Sequence, residues 1–349
     1  MSKPTVCAVI CTYNRRDLLV ECLTALAGQS RRVDRVLIVD NASTDGTLEA
    51  VGRSEAARRL DVGYIEMTEN TGASGGFAEG VGQALSEGYD WLWMIDNDCM
   101  PRPDALAVLL DSPQAAAAQT VALCSALQSV SGHWQTVYRG LYRSGETVAL
   151  PRDAYDQSAV AVDYAAFAGL LVRGRVAAMV GPPKAEFFLW VEDLEWCLRL
   201  GAHGSIWLIP ASVALHRDGN PQVPDGRFTA LRLALRALPD SQVWKHIYCF
   251  RNMSWIRRHY HDERIPGFVR HLARHWFRVL VFDRHKARRM RWYLKYGLEG
   301  RRGEFHNCQP DVWVQYAGQP SGYRVVRDAS FPGVRRQRRS GPFNPRTGA

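Results

Sequence analysis

Trp91-Leu92-Trp93-Met94-Ile95-Asp96-Asn97-Asp98 joins an apolar run of five residues to an Asp-x-Asp triplet. A short apolar run of this kind predicts a buried strand. Two carboxylates at the end of such a strand can present oxygen ligands to a hard divalent cation. The triplet alone is a weak indication, because about one is expected by chance in a chain of this size and acidity. Its meaning depends on the elements around it.

Strand and helix patterns alternate on the amino-terminal side of this triplet. Residues 6–11, 35–39 and 64–67 are predicted as strands, and residues 77–85 as a helix. Asn14 is placed to cap the helix that follows the first strand. This β-α-β-α order predicts an α/β fold: a Rossmann-like, nucleotide-binding parallel sheet with helices on both faces.

Polar clusters follow each predicted strand. They are residues 12–15, 40–41, 70–76 and 96–98. Ligands bind beyond the carboxyl ends of strands in such sheets, so we expect these clusters to form one site. The glycines of residues 70–76 precede a helix and would let the backbone approach a nucleotide sugar, although a flexible turn explains them equally well. No Gly-x-Gly-x-x-Gly follows the first strand, which disfavours a nicotinamide enzyme.

Three further residues are candidates for the same site. Glu192 and Asp193 lie at the start of a predicted amphipathic helix, where a favourable interaction with the helix dipole is an equal alternative. His216 ends the predicted strand 205–215 and can supply a nitrogen ligand, although a structural role is more common for a lone histidine. A mixed oxygen and nitrogen shell would suit Mn²⁺ better than Mg²⁺.

The net charge of +9 is unevenly distributed over the 349 residues. Residues 1–239 carry 21 Lys and Arg against 27 Asp and Glu, whereas residues 240–349 carry 23 against 8. Between residues 274 and 296, aromatic side chains alternate with arginines and lysines, which is typical of an interfacial helix on an anionic membrane. RNA binding through stacking aromatics and a plain solvated helix face are the alternatives.

Three regions follow from these patterns. We predict a nucleotide-binding domain at residues 1–238, a basic, mainly helical membrane-associating region at residues 239–330, and a disordered basic tail at residues 331–349. No apolar stretch has the length needed to span a bilayer, and the first residues lack the pattern of a signal peptide. We therefore expect a chain that stays in the cytosol.

Six motifs, in this order, resemble those of the inverting family 2 glycosyltransferases with the GT-A fold. The similarity covers about residues 5–218 and rests on residues 11–15, 39–41, 70–76, 96–98 and 192–196, and on His216. The order of the motifs is more specific than any one of them. Asn97 in the middle of the triplet and Pro182-Pro183-Lys184 depart from the pattern of relatives.

The resemblance implies roles for individual residues. Asp193 aligns with the general base, and Glu192 is its acidic neighbour. Asp96, Asp98 and His216 would hold Mn²⁺ or Mg²⁺. The residues implied to bind the nucleotide sugar are Thr12, Tyr13, Arg15, Asp40, Asn41, Asn70, Gly72, Gly75, Gly76 and Asp96.

The segments 75–80 and 89–98 look closest to bacterial enzymes that add galactofuranose or rhamnose to a polyprenyl-diphosphate-linked glycan in cell-wall synthesis. This implies a UDP- or dTDP-sugar donor, a lipid-linked acceptor and a peripheral position on the inner face of the cell membrane. Nucleic acid is not an expected partner. The alternatives are a nucleotidyltransferase acting on a sugar phosphate and a non-catalytic lipid- or RNA-binding protein.

Overall fold

A computed structural model describes residues 3–217, 240–283, 285–306 and 334–336. The strands are β1 Val6–Thr12, β2 Arg35–Asp40, β3 Val62–Glu66, β4 Trp91–Asp96, β5 Cys99–Pro101, β6 Thr120–Gln128, β7 Arg139–Arg143, β8 Glu146–Ala149, β9 Val160–Val162, β10 Tyr164–Ala165, β11 Leu170–Arg173, β12 Ser205–His216 and β13 Val334–Arg336. The α-helices are α1 Arg16–Ala27, α2 Thr47–Arg53, α3 Glu55–Arg58, α4 Gly72–Glu87, α5 Ala105–Asp111, α6 Pro113–Ala116, α7 Gly174–Val180, α8 Glu192–Gly201, α9 Asp240–Tyr260, α10 Ile265–Phe282 and α11 Lys286–Arg302. Three 3₁₀ turns lie at Thr136–Tyr138, Arg152–Asp156 and Ala185–Phe187.

The main sheet has ten strands in the order β13-β3-β2-β1-β4-β11-β6-β12-β5, with β9 paired to β12. Strands β3, β2, β1 and β4 are parallel, as the alternating strand and helix pattern predicts. Beyond β4 the sheet is mixed, because β11 runs antiparallel to both β4 and β6. A second sheet, β10-β7-β8, has three strands. The predicted all-parallel arrangement therefore holds only for the first half of the sheet.

Strand β1 shows why the sheet is covered on both faces. Val6, Ala8 and Ile10 pack with the apolar side of α1 in one core, whereas Cys7 and Val9 pack with α4 in the other. Successive side chains of a strand point to opposite faces, so an uninterrupted apolar strand needs a helix on each side.

Asn14 does not cap α1, in contrast to the prediction from its position. Its Oδ1 accepts a hydrogen bond from the backbone N of Thr44 at 2.8 Å, so the side chain joins two loops. The first turn of α1 is capped instead by Asp45, whose Oδ2 accepts from the backbone N of Arg16 at 3.0 Å. A cap supplied by a distant loop leaves no signal in the local sequence.

The carboxyl-terminal helices pack on the sheet domain and on each other. Met253 and Ile256 of α9 enter the core that contains α4 and α8. Phe250 of α9 packs with Phe268 of α10 and Tyr293 of α11 in a separate cluster. Within the described residues, no helix has both the length and the hydropathy that crossing a membrane requires.

Three residues of the tail that was predicted to be disordered form strand β13. Val334–Arg336 pair in parallel with β3, from the Val334–Val62 pair to the Arg336–Tyr64 pair. An edge strand has unpaired backbone groups on its outer side, and a short β-branched or basic segment can satisfy them without a core of its own. The rest of residues 331–349 lies outside the described residues, as do residues 218–239 and 307–330.

Candidate active site

The carboxyl ends of β1, β2 and β4 bring three of the polar clusters together. Cys11 of β1 is the register partner of Asp96, and Thr12 is the partner of Asp40. Strand β12 runs parallel to β6 and hence in the same direction as β4, and its last residue, His216, is paired with Cys99 in β5. This pairing places the imidazole beside Asp98, although 118 positions separate the two residues in the sequence.

Asp96, Asp98 and His216 form a potential metal-binding cluster. Each offers one ligand atom, and these three atoms lie within 4.8 Å of one another. His216 Nε2 is 3.2 Å from Asp98 Oδ1, and the other oxygen of Asp98 accepts from Arg15 Nη1 at 3.1 Å. Two carboxylates and one imidazole are a donor set that suits Mn²⁺ or Mg²⁺.

Gln135 fixes the orientation of the histidine. Its Oε1 lies 2.9 Å from His216 Nδ1, and its Nε2 donates to the backbone O of His216 at 3.3 Å. An amide oxygen can only accept, so Nδ1 must carry the hydrogen. Nε2 faces the Asp98 carboxylate and is the ring nitrogen that could bind a metal. A metal-binding histidine ordinarily has its other ring nitrogen bonded to a protein acceptor in this way.

The charges in this cluster are unbalanced. Burial, and then the nearby carboxylates of Asp98 and Asp193, together raise the pKa of Asp96 to about 7 against the opposing charges of His216 and Arg139. Burial also acts on Asp98, but the hydrogen bond and charge of His216, together with Arg15, hold its pKa below the usual range. An Asp96 carboxyl that resists ionisation in the bare protein would ionise readily beside a divalent cation. The residues present therefore fit the metal that the fold implies.

Glu192 and Asp193 lie at the start of α8, facing the same cleft. Burial, and then the charge of Asp193, raise the pKa of Glu192 well above its usual value. Burial raises the pKa of Asp193 to about 6, while the hydrogen bond that its Oδ1 accepts from the backbone N of Leu194 at 2.7 Å favours the charged form. A pKa of about 6 leaves the Asp193 carboxyl mostly ionised at neutral pH, whereas burial disfavours the charged form of Glu192. Only an ionised carboxylate can accept a proton.

Arg139 is a buried cation that the sequence does not single out. It is fully buried at the start of β7, and its guanidinium donates to the backbone O of Ser125, Ala166 and Ala168 at 3.0, 3.2 and 2.6 Å. Its charge lowers the pKa of both Asp96 and Asp193. A lone arginine in a strand pattern gives no hint of this position, because the strands around it are assembled from distant parts of the chain.

Three of the predicted nucleotide-binding residues lie at or just beyond the carboxyl ends of β1 and β2. Thr12 accepts a hydrogen bond at its Oγ1 from Asn97 Nδ2 at 3.1 Å, and Tyr13 is exposed at the sheet edge. Asp40 is 3% exposed, and its two oxygens accept from Tyr64 Oη at 2.5 Å and from the backbone N of Ser43 at 2.9 Å. The structure thus places these residues at the same edge, and their contact with a nucleotide stays a prediction.

The glycines of the turn face protein atoms. A Cβ on Gly72 would lie 2.0 Å from the backbone O of Phe188, and one on Gly76 would lie 2.3 Å from Cys11 Sγ. A Cβ on Gly75 would meet the side chain of Thr71 at 2.4 Å. These distances give the three glycines a packing role between α4, the sheet and the loop before α8. Their predicted contact with the sugar has no support in these distances.

Asn41 and Asn70 stabilise the same turn. Asn41 is 1% exposed, its Nδ2 donates to the backbone O of Gly72 at 2.9 Å, and its Oδ1 accepts from Thr71 Oγ1 at 2.9 Å. Asn70 Oδ1 accepts from the backbone N of Gly72 at 2.8 Å. Asn41 is buried within the protein, whereas Asn70 is exposed, and the contact of both with the donor stays a prediction.

Comparison with known proteins decides which chemistry this cleft belongs to. Residues 7–165 match the family model described as Glycosyl transferase family 2. The chain is a glycosyltransferase with a family 2 domain. The resemblance drawn from the motifs is thereby confirmed, and the nucleotidyltransferase and non-catalytic alternatives are set aside. Asp193 and His216 follow the matched segment in the sequence.

Curated relatives extend the similarity over most of the glycosyltransferase. Galactofuranosyltransferase GlfT1 of Mycolicibacterium smegmatis is 27% identical over 312 residues, which cover 86% of this chain and 97% of the relative. N-acetylglucosaminyl-diphospho-decaprenol L-rhamnosyltransferase of Mycobacterium tuberculosis is 29% identical over 250 residues, or 65% of this chain and 79% of the relative. The glycosyltransferase is therefore related to galactofuranosyl and rhamnosyl transferases of cell-wall synthesis.

A solved structure supports the fold. GalNAc-T7 with UDP, GalNAc and Mn²⁺ matches with a TM-score of 0.50 at 11% identity, over 92% of this chain and 60% of that chain. At this identity the similarity concerns the fold alone. The predicted α/β fold of the GT-A type, with a helical carboxyl-terminal part, is confirmed.

The loop that enters α8 has a strained backbone. Phe188, Trp190 and Val191 have φ values of 63°, 67° and 62°, which lie in the left-handed region. Each such residue costs on the order of 1–3 kcal/mol, so the conformation persists only where the surroundings impose it. The strain lies immediately before Glu192 and Asp193, so the surroundings that impose it also fix the position of the acidic pair.

Buried side chains of α9 hold this loop in place. Asn252 is fully buried, and its Nδ2 lies 3.0, 3.1 and 3.0 Å from the backbone O atoms of Phe187, Leu189 and Trp190. Arg251 donates to the backbone O of Phe187 at 3.0 Å. The carboxyl-terminal helices therefore support the catalytic cleft directly. Nothing in the local sequence predicts this, because an asparagine inside a helix has no distinctive spacing.

Asn252→Ala is expected to lower kcat about 10- to 100-fold while leaving the affinity for the nucleotide nearly unchanged, since a displacement near 1 Å suffices for such a loss. Ser254→Ala is the matched control, because Ser254 is also buried on α9 but its hydroxyl donates only to Phe250 O within the helix. Hydrogen exchange of the peptide spanning residues 186–195 should rise in the first variant only. Equal losses of kcat in the two variants would show a general effect on folding.

Proposed function

We propose that this glycosyltransferase transfers galactofuranose or rhamnose from a UDP- or dTDP-sugar to a hydroxyl of a polyprenyl-diphosphate-linked glycan, with inversion at the anomeric carbon. The reaction depends on Mn²⁺ or Mg²⁺ and takes place on the cytoplasmic face of the membrane, where the protein binds peripherally. The names of the relatives support both the sugars and the lipid-linked acceptor.

One observation carries this proposal. Carboxylates from two separate segments, Asp96 and Asp98 at and just beyond the end of β4 and Asp193 at the start of α8, lie close enough for the charges of Asp98 and Asp193 to raise the pKa of Asp96. A donor diphosphate beside Asp96 and Asp98 would place its anomeric carbon within the same cleft as Asp193. Leaving group and base on opposite sides of one carbon are what a single in-line displacement needs.

Each side chain of the site has its own role in the proposed reaction. Asp96, Asp98 and His216 would hold the divalent cation, which supplies charge stabilisation to the departing diphosphate when it is bound. Gln135 keeps the imidazole of His216 in its orientation. Asp193 accepts the proton of the acceptor hydroxyl as that oxygen attacks. Glu192 lies beside it in the sequence, and burial together with the charge of Asp193 disfavours the ionised form of Glu192.

A screen of nucleotide sugars tests the donor. UDP-galactofuranose, dTDP-rhamnose and UDP-glucose are each incubated with the full chain, Mn²⁺ and a short-chain polyprenyl-diphosphate glycan. We expect release of a nucleoside diphosphate with one of the first two, and none with UDP-glucose. Release of pyrophosphate, or no turnover with either of the first two donors, would contradict the proposal.

The pH dependence of kcat tests the base. The pKa of Asp193 is raised to about 6, so the carboxylate becomes protonated as the pH falls through that value. We expect kcat, measured at saturating Mn²⁺ and donor, to fall about tenfold for each unit of pH below about 6. A profile that stays flat down to about pH 5 would argue against a carboxylate base with a raised pKa.

A further inference from the structure

Helix α10 has two apolar faces. Phe268, Leu272 and Val279 form the inner face and are buried against α9 and α11. On the outer side, large apolar residues remain between 48% and 62% exposed: Ile265, Val269, Phe277, Leu280 and Val281. An amphipathic helix of a globular protein normally exposes polar side chains on its outer face. A second, exposed apolar face therefore needs an explanation.

The exposed residues form a continuous stripe. Residues 265, 269, 273, 277 and 281 follow one another at intervals of four, which places them along one side of the helix, with Leu280 beside them. We call these six residues the outer stripe. Exposed apolar side chains scattered singly are ordinary, but a contiguous row of them marks an interaction surface.

The charges that α10 itself carries have one sign. The helix contains no Asp or Glu, and the exposed Arg270 and Arg274 each follow a stripe residue directly, although Arg274 Nη1 also lies 3.3 Å from Glu146 Oε1. Helix α11 adds five exposed basic side chains, at Lys286, Arg288, Arg291, Lys295 and Arg302. This combination complements an anionic surface with an apolar interior. It disfavours a second copy of the chain, which would bring the same arginines against each other.

The structure indicates different membrane-binding residues from those that the sequence suggested. The aromatic residues that suggested an interfacial helix are mostly internal: Tyr293 is 2% exposed, and Tyr296 is 7% exposed. Trp276 is half-buried, and its Nε1 donates to the backbone O of Met290 at 3.0 Å. Of that set, Phe277 belongs to the outer stripe, and the rest of the stripe is aliphatic.

We infer that the outer stripe of α10 inserts into the headgroup boundary of an anionic bilayer, with Arg270 and Arg274 at the lipid phosphates. Apolar side chains gain free energy by leaving water, and each basic side chain near the surface adds an attraction to anionic lipid. This inference rests on the proposed lipid-linked acceptor, because such a substrate confines the reaction to the membrane plane. Binding by this face would hold the cleft near that plane.

Co-sedimentation of the full chain with vesicles tests the inference. The wild type is expected to bind vesicles of phosphatidylglycerol and phosphatidylcholine at low salt, and to bind pure phosphatidylcholine weakly. Phe277→Ser/Leu280→Ser should lower the partition coefficient about tenfold or more, since two large apolar side chains are lost. Arg270→Ser should lower it about fivefold, and only on anionic vesicles. Met179→Ser is the matched control, because Met179 is 65% exposed on α7, away from the stripe.

Each result bears on the inference. Equal binding by the wild type and the double variant, or no binding of the wild type at low salt, would overturn it. A dimer in sedimentation equilibrium that the double variant abolishes would also overturn it in favour of a second copy. Transfer to a water-soluble acceptor analogue should be the same in the wild type and the double variant. That activity separates failure of the membrane contact from failure of the proposed reaction.

Discussion

Asp193→Asn is expected to reduce kcat by about 10² to 10⁴, because it removes the group that accepts the proton of the acceptor hydroxyl. The amide occupies almost the same volume and keeps an oxygen that can accept from the backbone N of Leu194. Binding of the nucleoside diphosphate with Mn²⁺, measured by calorimetry, should be nearly unchanged. Single-turnover measurements of transfer provide the rate without interference from product release.

The stability of the same variant excludes unfolding as the cause. The pKa of Asp193 is raised in the folded protein, so its ionised form destabilises the fold at every pH above the usual value of an aspartate. Asp193→Asn should therefore melt at the same temperature as the wild type or higher at neutral pH. Glu186→Gln makes the equivalent change at an exposed position of the preceding 3₁₀ turn and should leave kcat unaltered. Full transfer by Asp193→Asn would remove Asp193 from the role.

Asp98→Ala is expected to abolish the dependence of nucleotide binding on Mn²⁺ and to reduce transfer by at least about 100-fold, since losing a metal ligand costs more than the 10- to 100-fold lost with a residue that only orients a ligand. The side chain also contacts His216 and Arg15, so its removal takes one carboxylate away from both. Calorimetric titration of the nucleoside diphosphate, with and without Mn²⁺, measures the effect.

Two further variants make this experiment specific. Gln135→Leu should weaken Mn²⁺ binding about 10- to 100-fold, because His216 loses the amide that orients it while all three proposed ligands remain. Asp17→Ala removes a carboxylate that is exposed on α1 and pairs only with Arg16 among the described residues, so it should behave as the wild type does. Unchanged affinity of Asp98→Ala with and without Mn²⁺ would contradict the metal site.

Local patterns predicted the parallel half of the sheet well. The run at residues 91–95 is β4, the run at 6–11 lies within β1, and the residues predicted at 35–39 lie within β2. These strands are buried on both faces, so nearly all of their side chains are apolar. Such a continuous apolar run can be recognised in the sequence. The antiparallel strands beyond β4 could not be derived in the same way, because a strand's direction depends on the connections and partners it finds.

The candidate site was predictable as a list of residues and not as an arrangement. Carboxylates after strands and before a helix stand out in the sequence at Asp96, Asp98 and Asp193. Arg139, Gln135 and Asn252 do not stand out, because each acts on a residue more than 40 positions away. The glycines at 72, 75 and 76 were predicted to matter, and the structure shows that their close contacts are with protein.

Burial patterns and motif order in the chain itself determined the family, the alternating α/β domain and the candidate carboxylates. Such signals are local: they record which side chains leave water and which special residues a turn needs. Only the tertiary structure decided that His216, at the end of β12, lies beside Asp98, which precedes β5. It also decided that α9 supports the loop before Glu192 and Asp193. It also decided which face of α10 stays exposed. These features depend on contacts between distant segments, and periodicity carries no information about which distant segments will touch.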